Sequence, residues 1–208
     1  MILNPESGTE TLILLHGNPS YSLEFEHFFP SLLYSGYRII AVDMPGYGHT
    51  KGTPLKARSE FNLNKGGPVD VVISVMDAMQ IRTVDGIIGY DWGAGILLSF
   101  GIKYPKRVKK LVTFLPSYSE IKKDELKTLT PPTLVLWVKQ DVFHSWSKWK
   151  SLASKIPKAT IEVIDARAYS RDIAYSPYSG ISDQLMRIIL MSLGKPDPLK
   201  SVEEIMEA

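Results

Sequence analysis

The sequence has a length, composition and charge that exclude several classes of protein. Its 208 residues are 44% hydrophobic and carry 24 Lys and Arg against 22 Asp and Glu. This length supports one core, so we expect a single domain over residues 1–208, and the scattered basic residues give no reason to expect a nucleic-acid partner. The sequence contains no cysteine, which excludes disulfides, thiolate metal sites and a thiol nucleophile.

No part of the sequence predicts a membrane span or a secretion signal. The apolar runs are much shorter than the roughly 20 residues that a membrane helix needs. The segment Met1–Ser7 lacks the basic start and apolar stretch of a signal peptide. We therefore expect a cytoplasmic protein with no membrane partner.

Six short runs rich in Ile, Leu and Val predict the strands of one sheet. They do not alternate polar with apolar residues, which is typical of strands buried on both faces of a mostly parallel sheet. The six runs are Thr11–Leu15, Arg38–Asp43, Val84–Gly89, Lys110–Leu115, Thr133–Val138 and Thr160–Asp165.

Helical patterns lie between these runs. An apolar stripe at spacings of three and four follows Pro68, and a second runs from Ile181 to Ile189. The alternation of strand and helix predicts an α/β doubly wound fold. The polar stretch Thr50–Gly67 predicts a loop, and the charged tail from Gly194 onward predicts a peripheral segment.

The stretch Ile-Ile-Gly-Tyr-Asp-Trp-Gly-Ala-Gly, residues 87 to 95, predicts a strand that turns sharply into a helix. Gly89 and Gly93 flank Asp91, and small residues at these positions permit the reversal and expose the central side chain. Such a central residue is held at positive φ, at a cost of about 1 to 3 kcal/mol that normally accompanies function. The adjoining helix N-terminus favours the ionised carboxylate, so we interpret Asp91 as a nucleophile.

Chemically active residues also follow other strands of the predicted sheet. Ligands of parallel sheets bind outside the carboxyl ends of the strands, so residues at these ends are the candidates for a site. The segments at strand ends are His16-Gly17-Asn18-Pro19, Asp43 to His49, Asp91-Trp92 and Asp141.

In this order the four segments resemble the α/β-hydrolase superfamily, over roughly residues 11 to 193. The resemblance implies that the loop at Gly17 supplies one N–H group of an oxyanion hole, and that the turn at Asp91 supplies the nucleophile and a second N–H. It also implies that Asp141 orients a histidine. An Asp at the turn resembles haloalkane dehalogenases and epoxide hydrolases, in which a carboxylate attacks a saturated carbon and a His-activated water hydrolyses the ester.

Asn18 and Trp92 match the positions that bind the departing halide in haloalkane dehalogenases. In those enzymes an Asn after His-Gly and a Trp after the nucleophile each offer an N–H group. Epoxide hydrolases share the Trp but usually carry an aromatic residue at the position of Asn18. The resemblance therefore favours a dehalogenase-like pocket.

Three features depart from those families. Only Pro116–Pro132 lies where they insert a helical cap of many tens of residues, so a capless protein is expected, as in the small lidless serine hydrolases. The usual N-terminal strand pair is predicted to be mostly missing. No His follows position 144, although the superfamily carries its base after the last strand.

The sequence offers four histidines for the role of base. His16 is expected to pack within the oxyanion loop, and His27 and His49 are expected at or near the surface. His144 lies three residues after Asp141 and is the candidate for a relocated base, although an exposed loop histidine is the commoner role for such a residue.

Two further candidates have a structural interpretation as well. Asp43 is expected to tie the turn at Pro45-Gly46 through its carboxylate. Trp137 could line a pocket, but an aromatic residue near a strand end is more often part of the core.

Three functions remain open. The first is hydrolysis of a small organic substrate, an ester, haloalkane or epoxide, by Asp91 with His144 or another group. The second is ligand binding by a degenerate family member, and the third is docking of a protein partner on the lidless face. The retained Asp91 and Asp141 favour the hydrolase, and no cofactor is predicted.

Overall fold

A seven-stranded sheet organises the chain. The computed structural model describes residues 1–6, 8–52, 67–116, 121, 123–139, 146–164 and 180–197. The strands lie in the order β1-β3-β2-β4-β5-β6-β7, and every pair is parallel except β1 with β3. They are β1 (Ile2–Leu3), β2 (Glu10–Leu15), β3 (Tyr37–Val42), β4 (Gly86–Asp91), β5 (Leu111–Pro116), β6 (Thr133–Val138) and β7 (Ala159–Ile164).

Helices cover both faces of this sheet. The predicted helix at Pro68 begins at that residue, and the stripe from Ile181 to Ile189 lies within a C-terminal helix, so both predictions are confirmed. The helices are α1 (Phe29–Tyr34), α2 (Pro68–Ala78), α3 (Trp92–Lys103), α4 (Lys123–Leu126), α5 (Trp146–Ala153) and α6 (Gly180–Ser192), with 3₁₀ segments at Ser22–Phe28 and Pro105–Arg107.

The core has two layers, one on each face of the sheet. Ile13 and Leu15 pack into the layer that contains residues of α2, α3 and α5, whereas Leu12 and Leu14 pack into the layer that contains residues of α1 and α6. All four of these β2 side chains are fully buried. Because neither face of this strand is exposed to solvent, polar and apolar residues do not alternate along it, and its sequence is a continuous apolar run.

The predicted α/β doubly wound fold is confirmed, with small corrections at the strand ends. All six predicted runs lie in the one sheet. The run predicted at Val84–Gly89 forms β4 two residues later, because Val84 makes only an isolated bridge to Val108 and the strand continues to Asp91. A register shift between Tyr90 and Asp91 lets Asp91 pair with the last residue of β5.

The prediction of about six strands misses the N-terminal strand. Ile2 and Leu3 form β1, which pairs antiparallel with Ile40 and Ile39 of β3, and the Met1 ammonium donates to the Ala41 carbonyl at 2.7 Å. Two residues are too few to show any periodicity in a sequence. The interval 117–132 between β5 and β6, of which the structure describes 121 and 123–132, contains α4.

The prediction of a peripheral tail from Gly194 onward is wrong for its first residues. Asp197 is only 9% exposed and accepts from the Arg187 guanidinium, with Nε at 2.9 Å. Lys195 pairs with Glu10 and lies 4.5 Å from the centre of the Tyr37 ring. Charged residues pack against the body here because each has a partner of opposite charge.

None of the helices in the described ranges is long and apolar enough to cross a lipid bilayer.

Candidate active site

The turn between β4 and α3 presents Asp91 as the sequence predicts. Asp91 ends β4 and precedes the first residue of α3, with φ +48° and ψ −116°. A Cβ atom on Gly93 would lie 2.1 Å from the Leu15 carbonyl oxygen, and one on Gly89 would lie 2.8 Å from the Gly93 backbone. Both glycines therefore allow the start of α3 to press against β2 and β4.

The loop after β2 brings a backbone donor to this carboxylate. The Asn18 N–H donates to Asp91 Oδ2 at 3.0 Å. A Cβ atom on Gly17 would lie 2.7 Å from the Tyr90 ring, so only glycine lets the loop pass this close to the turn. The Trp92 N–H belongs to the first turn of α3, where amides lack intrahelical acceptors. The Asn18 N–H thus lies where a backbone donor can bind one oxygen of Asp91.

Tyr47 links Asn18 to Trp92. The Tyr47 hydroxyl donates to Asn18 Oδ1 at 2.9 Å. The Tyr47 ring lies 5.6 Å from the Trp92 ring and 5.3 Å from the His16 ring, measured between centroids. Tyr47 was not among the predicted site residues, but its place in the loop that follows the carboxyl end of β3 is a signal that could have identified it.

His16 has a structural role, as expected. It is fully buried, its Nδ1 bonds the Gly17 carbonyl at 2.7 Å, and its Nε2 accepts from the Met44 N–H at 3.1 Å. Burial lowers the pKa of His16, although the Gly17 bond and the charge of Asp43 act in the opposite direction. A neutral ring with both nitrogens bonded ties the loop after β2 to the loop after β3.

Asp43 also holds the loop after β3 together. Its carboxylate accepts from the Ser22 N–H at 2.6 Å and from the His49 N–H at 3.0 Å. Burial by itself would raise the pKa of Asp43, but the bonds from His49 and Ser22 hold it below its ordinary value. The carboxylate bonds the His49 end of the segment Asp43 to His49 rather than Pro45-Gly46, so it fastens the whole turn to the 3₁₀ segment at Ser22.

The other histidines of the described ranges lie at or near the surface. The His49 side chain is 84% exposed, and the His27 side chain is 28% exposed and lies 3.8 Å from the Glu26 carboxylate. Asp141 and His144 lie outside the described residues, so their predicted roles stay predictions. The structure thus brings Gly17, Asn18, Asp91 and Trp92 together.

Neither a metal site nor the described cavity involves this cluster. Within the described ranges, no three His, Asp or Glu side chains are grouped as metal ligands. A cavity of about 370 Å³ lies between α6 and the amino ends of β5 to β7, beside Lys110 and Lys158, at the edge of the sheet opposite Asp91. Trp137 is 1% exposed and belongs to the core.

Comparison with known families agrees with this geometry. The family described as the α/β-hydrolase fold matches residues 10–128, more than half of the chain. The chain belongs to this family. The matched residues include the Asn18 loop, the Tyr47 turn and the Asp91 turn.

Curated relatives of this α/β-hydrolase match about half of the chain. Epoxide hydrolase B of Mycobacterium tuberculosis is 28% identical over 108 residues, 52% of this chain and 29% of that protein. The 2-hydroxy-6-oxononadienedioate/2-hydroxy-6-oxononatrienedioate hydrolase of Paraburkholderia phymatum is 32% identical over 110 residues, 51% of this chain and 36% of that protein. The matched segments thus span about a third of these relatives.

Solved structures share the fold over nearly the whole chain. A predicted CIB-like hydrolase from Thermoplasma acidophilum has a TM-score of 0.75 at 20% identity and covers 90% of this chain and 87% of its own. An esterase from Exiguobacterium antarcticum has a TM-score of 0.78 at 14% identity and covers 94% of each chain. At these identities the likeness concerns the fold alone.

Proposed function

We propose that the protein is a hydrolase of small organic substrates in which Asp91 is the nucleophile. The observation that carries the proposal is the bond from the Asn18 N–H to Asp91 Oδ2 at a strained strand-to-helix turn. The names of the curated relatives support hydrolysis as the class of reaction.

The first step is displacement at a saturated carbon. With Oδ2 held by Asn18, Oδ1 attacks the carbon of an alkyl halide or epoxide. A C–O bond forms to Asp91 while the bond to the halide or to the ring oxygen breaks, and the leaving atom takes the bonding pair. No base is needed for this step, because a carboxylate attacks with its own lone pair and has no proton to be removed.

The second step is hydrolysis of the ester on Asp91. Water adds to Cγ and negative charge develops on Oδ2, where the N–H groups of Asn18 and Trp92 would stabilise it. The Cγ–O bond to the alkyl group then breaks, the alcohol leaves with a proton, and the Asp91 carboxylate is restored. This step needs a group that removes a proton from water. His144, oriented by Asp141, is our candidate, and without an activated water the ester should persist, because a general base contributes about 100- to 10,000-fold.

Intact-protein mass spectrometry after incubation with small haloalkanes, epoxides and esters tests this function. We expect an alkyl adduct that is absent from Asp91→Asn and still forms on Asp77→Asn. Asp77 on α2 is the control. Its carboxylate is 61% exposed and pairs with Arg107, outside the proposed site. A persistent adduct would assign the nucleophile and a slow second step.

Two other results would change the assignment. Rapid turnover that is lost on His144→Ala would establish His144 as the base. Neither adduct nor turnover across the whole panel would contradict the hydrolase and favour a degenerate member that binds a ligand or a protein partner.

A further inference from the structure

Tyr47 is held in a fixed position beside the nucleophile. Its N–H donates to the Met44 carbonyl at 2.9 Å, and the Met44 N–H is in turn bonded to His16. Its ring packs against the rings of His16 and Trp92, which also contact each other. The hydroxyl therefore reaches Asn18 from a ring that the fold has already positioned.

We propose that Tyr47 is a positioning residue that turns the Asn18 side-chain amide so that its N–H groups face the group that leaves during attack by Asp91. This inference rests on the proposed function. An asparagine amide is planar, with an acceptor oxygen on one side and two N–H donors on the other. Once Tyr47 occupies Oδ1, the donors on Nδ2 are what Asn18 offers to a bound substrate.

The position of Asn18 makes this orientation matter for chemistry. The same residue holds Asp91 Oδ2 through its backbone N–H, and Asn18 itself is exposed to solvent. Its side chain therefore borders the space in which a substrate meets Asp91. Two amide N–H groups suit a leaving group that departs as an anion, because they donate hydrogen bonds to charge but do not give up a proton.

The orientation of the Asn18 amide should therefore favour alkyl bromides over epoxides as substrates. In attack on an alkyl bromide, the C–O bond to Asp91 forms as the C–Br bond breaks, and bromide departs with the bonding pair and needs no proton. In attack on an epoxide, the ring C–O bond breaks and the ring oxygen becomes an alkoxide that stays attached to the alkyl group and must receive a proton from water. Tyr47 and Asn18 should accelerate the first reaction more than the second.

Rates of adduct formation with n-butyl bromide and butylene oxide, followed by intact mass, test the proposal. We expect Tyr47→Phe to slow the bromide reaction about threefold to tenfold, the range for losing one hydrogen bond that orients a donor to an anion. The epoxide rate should change by less than about twofold, because the ring oxygen needs a proton, which an amide N–H does not give up. Tyr37→Phe is the control, because it removes a hydroxyl that bonds the Leu193 carbonyl at 3.4 Å on the opposite edge of the sheet.

A double-mutant cycle shows whether Tyr47 acts through Asn18. In an Asn18→Ala background, Tyr47→Phe should have no further effect on the bromide rate, because the amide that it orients is gone. Equal slowing of both substrates by Tyr47→Phe, or an effect that persists in Asn18→Ala, would overturn the proposal.

Bromide binding separates failure of this inference from failure of the proposed function. If n-butyl bromide leaves Asp91 unmodified, bromide binding to the Asp91→Asn protein is measured by NMR line broadening, and the result shows which of the two proposals has failed. In one outcome, Tyr47→Phe and Asn18→Ala each weaken bromide binding to the same extent, and the double variant weakens it no further. That result would overturn the assignment of Asp91 as the nucleophile and retain the role of Tyr47. No bromide binding in that protein would overturn the role of Tyr47.

Discussion

Asp43 and Asp91 lie at the same edge of the sheet, on either side of β2, and their surroundings differ. Asp43 is 8% exposed and accepts from two backbone amides of fixed loops. Asp91 is less buried, has φ +48°, and accepts from the Asn18 N–H in the loop after β2. The Asp43 carboxylate therefore stabilises a loop, whereas the backbone at Asp91 turns its carboxylate out at the start of α3, as the proposed nucleophile requires.

The largest expected effect comes from adding a side chain to Gly93, where the start of α3 contacts the end of β2. Gly93→Ala should lower the free energy of unfolding by about 3 kcal/mol or more, because overpacking against fixed atoms forces the backbone to move. The new Cβ would lie 2.1 Å from the Leu15 carbonyl oxygen and 2.7 Å from that of His16. Urea unfolding followed by circular dichroism measures the loss.

Gly101→Ala is the matched control for this variant on the same helix. Its Cβ would meet the ends of two side chains, Leu111 Cδ1 at 2.6 Å and Leu129 Cδ1 at 2.8 Å, which can rotate away. Gly93→Ala should therefore cost clearly more than Gly101→Ala. Equal losses would contradict the close approach of α3 to β2.

Asp43→Asn should destabilise the protein by about 2 kcal/mol, the cost of leaving one buried amide donor without an acceptor. Its two oxygens accept from Ser22 and His49, and the NH₂ group of Asn would face one of these donors. Asp91→Asn keeps a similar shape at a less buried position, so it should cost less than about 0.5 kcal/mol. Parallel urea titrations compare the two variants, and a larger loss for Asp91→Asn would reverse the assignment of roles.

The pH dependence of stability should reveal the buried His16. Because burial lowers its pKa from 6.5, the unfolded chain takes up a proton below about pH 6.5 that the folded protein does not. The free energy of unfolding should therefore fall with decreasing pH, by up to about 1.4 kcal/mol per unit, until the lowered pKa of the folded state is reached.

His16→Gln removes this group and should flatten the dependence between neutral pH and about pH 5. Urea unfolding at several pH values provides the comparison. Two results would mean that His16 accepts a proton in the folded protein. One is a free energy of unfolding that rises as the pH falls through this interval, and the other is a pH dependence that His16→Gln leaves unchanged.

The smallest expected effect is a gain in stability. Asp91→Gly should raise the free energy of unfolding by up to about 1 kcal/mol, because glycine adopts positive φ without the strain of a side chain. Gln80→Gly is the control, since Gln80 is the other non-glycine residue with positive φ in the described ranges, at φ +57° after α2. A gain for Gln80→Gly together with a loss for Asp91→Gly would show that Asp91 has a structural role.

The sequence predicted the sheet and the turn because both depend on local patterns. Apolar runs, Pro68 and the glycines around Asp91 each act within a few residues. The bond between Tyr47 and Asn18 joins residues 29 positions apart, and no periodicity encodes it. The pairing of β1 and the contact of Lys195 with Glu10 were missed for the same reason, since each depends on how distant segments meet.

Peptide mapping after alkylation tests most directly whether Asp91 is the nucleophile. Trypsin should release residues 83–103 as one peptide that carries both Asp85 and Asp91, and fragmentation spectra distinguish them. Asp85 is an internal control, because its carboxylate already bonds the Thr11 N–H at 2.7 Å and Lys109 at 2.6 Å. We expect the alkyl ester on Asp91 and an unmodified Asp85. Esters spread over exposed carboxylates, with Asp91 unmodified, would contradict the assignment.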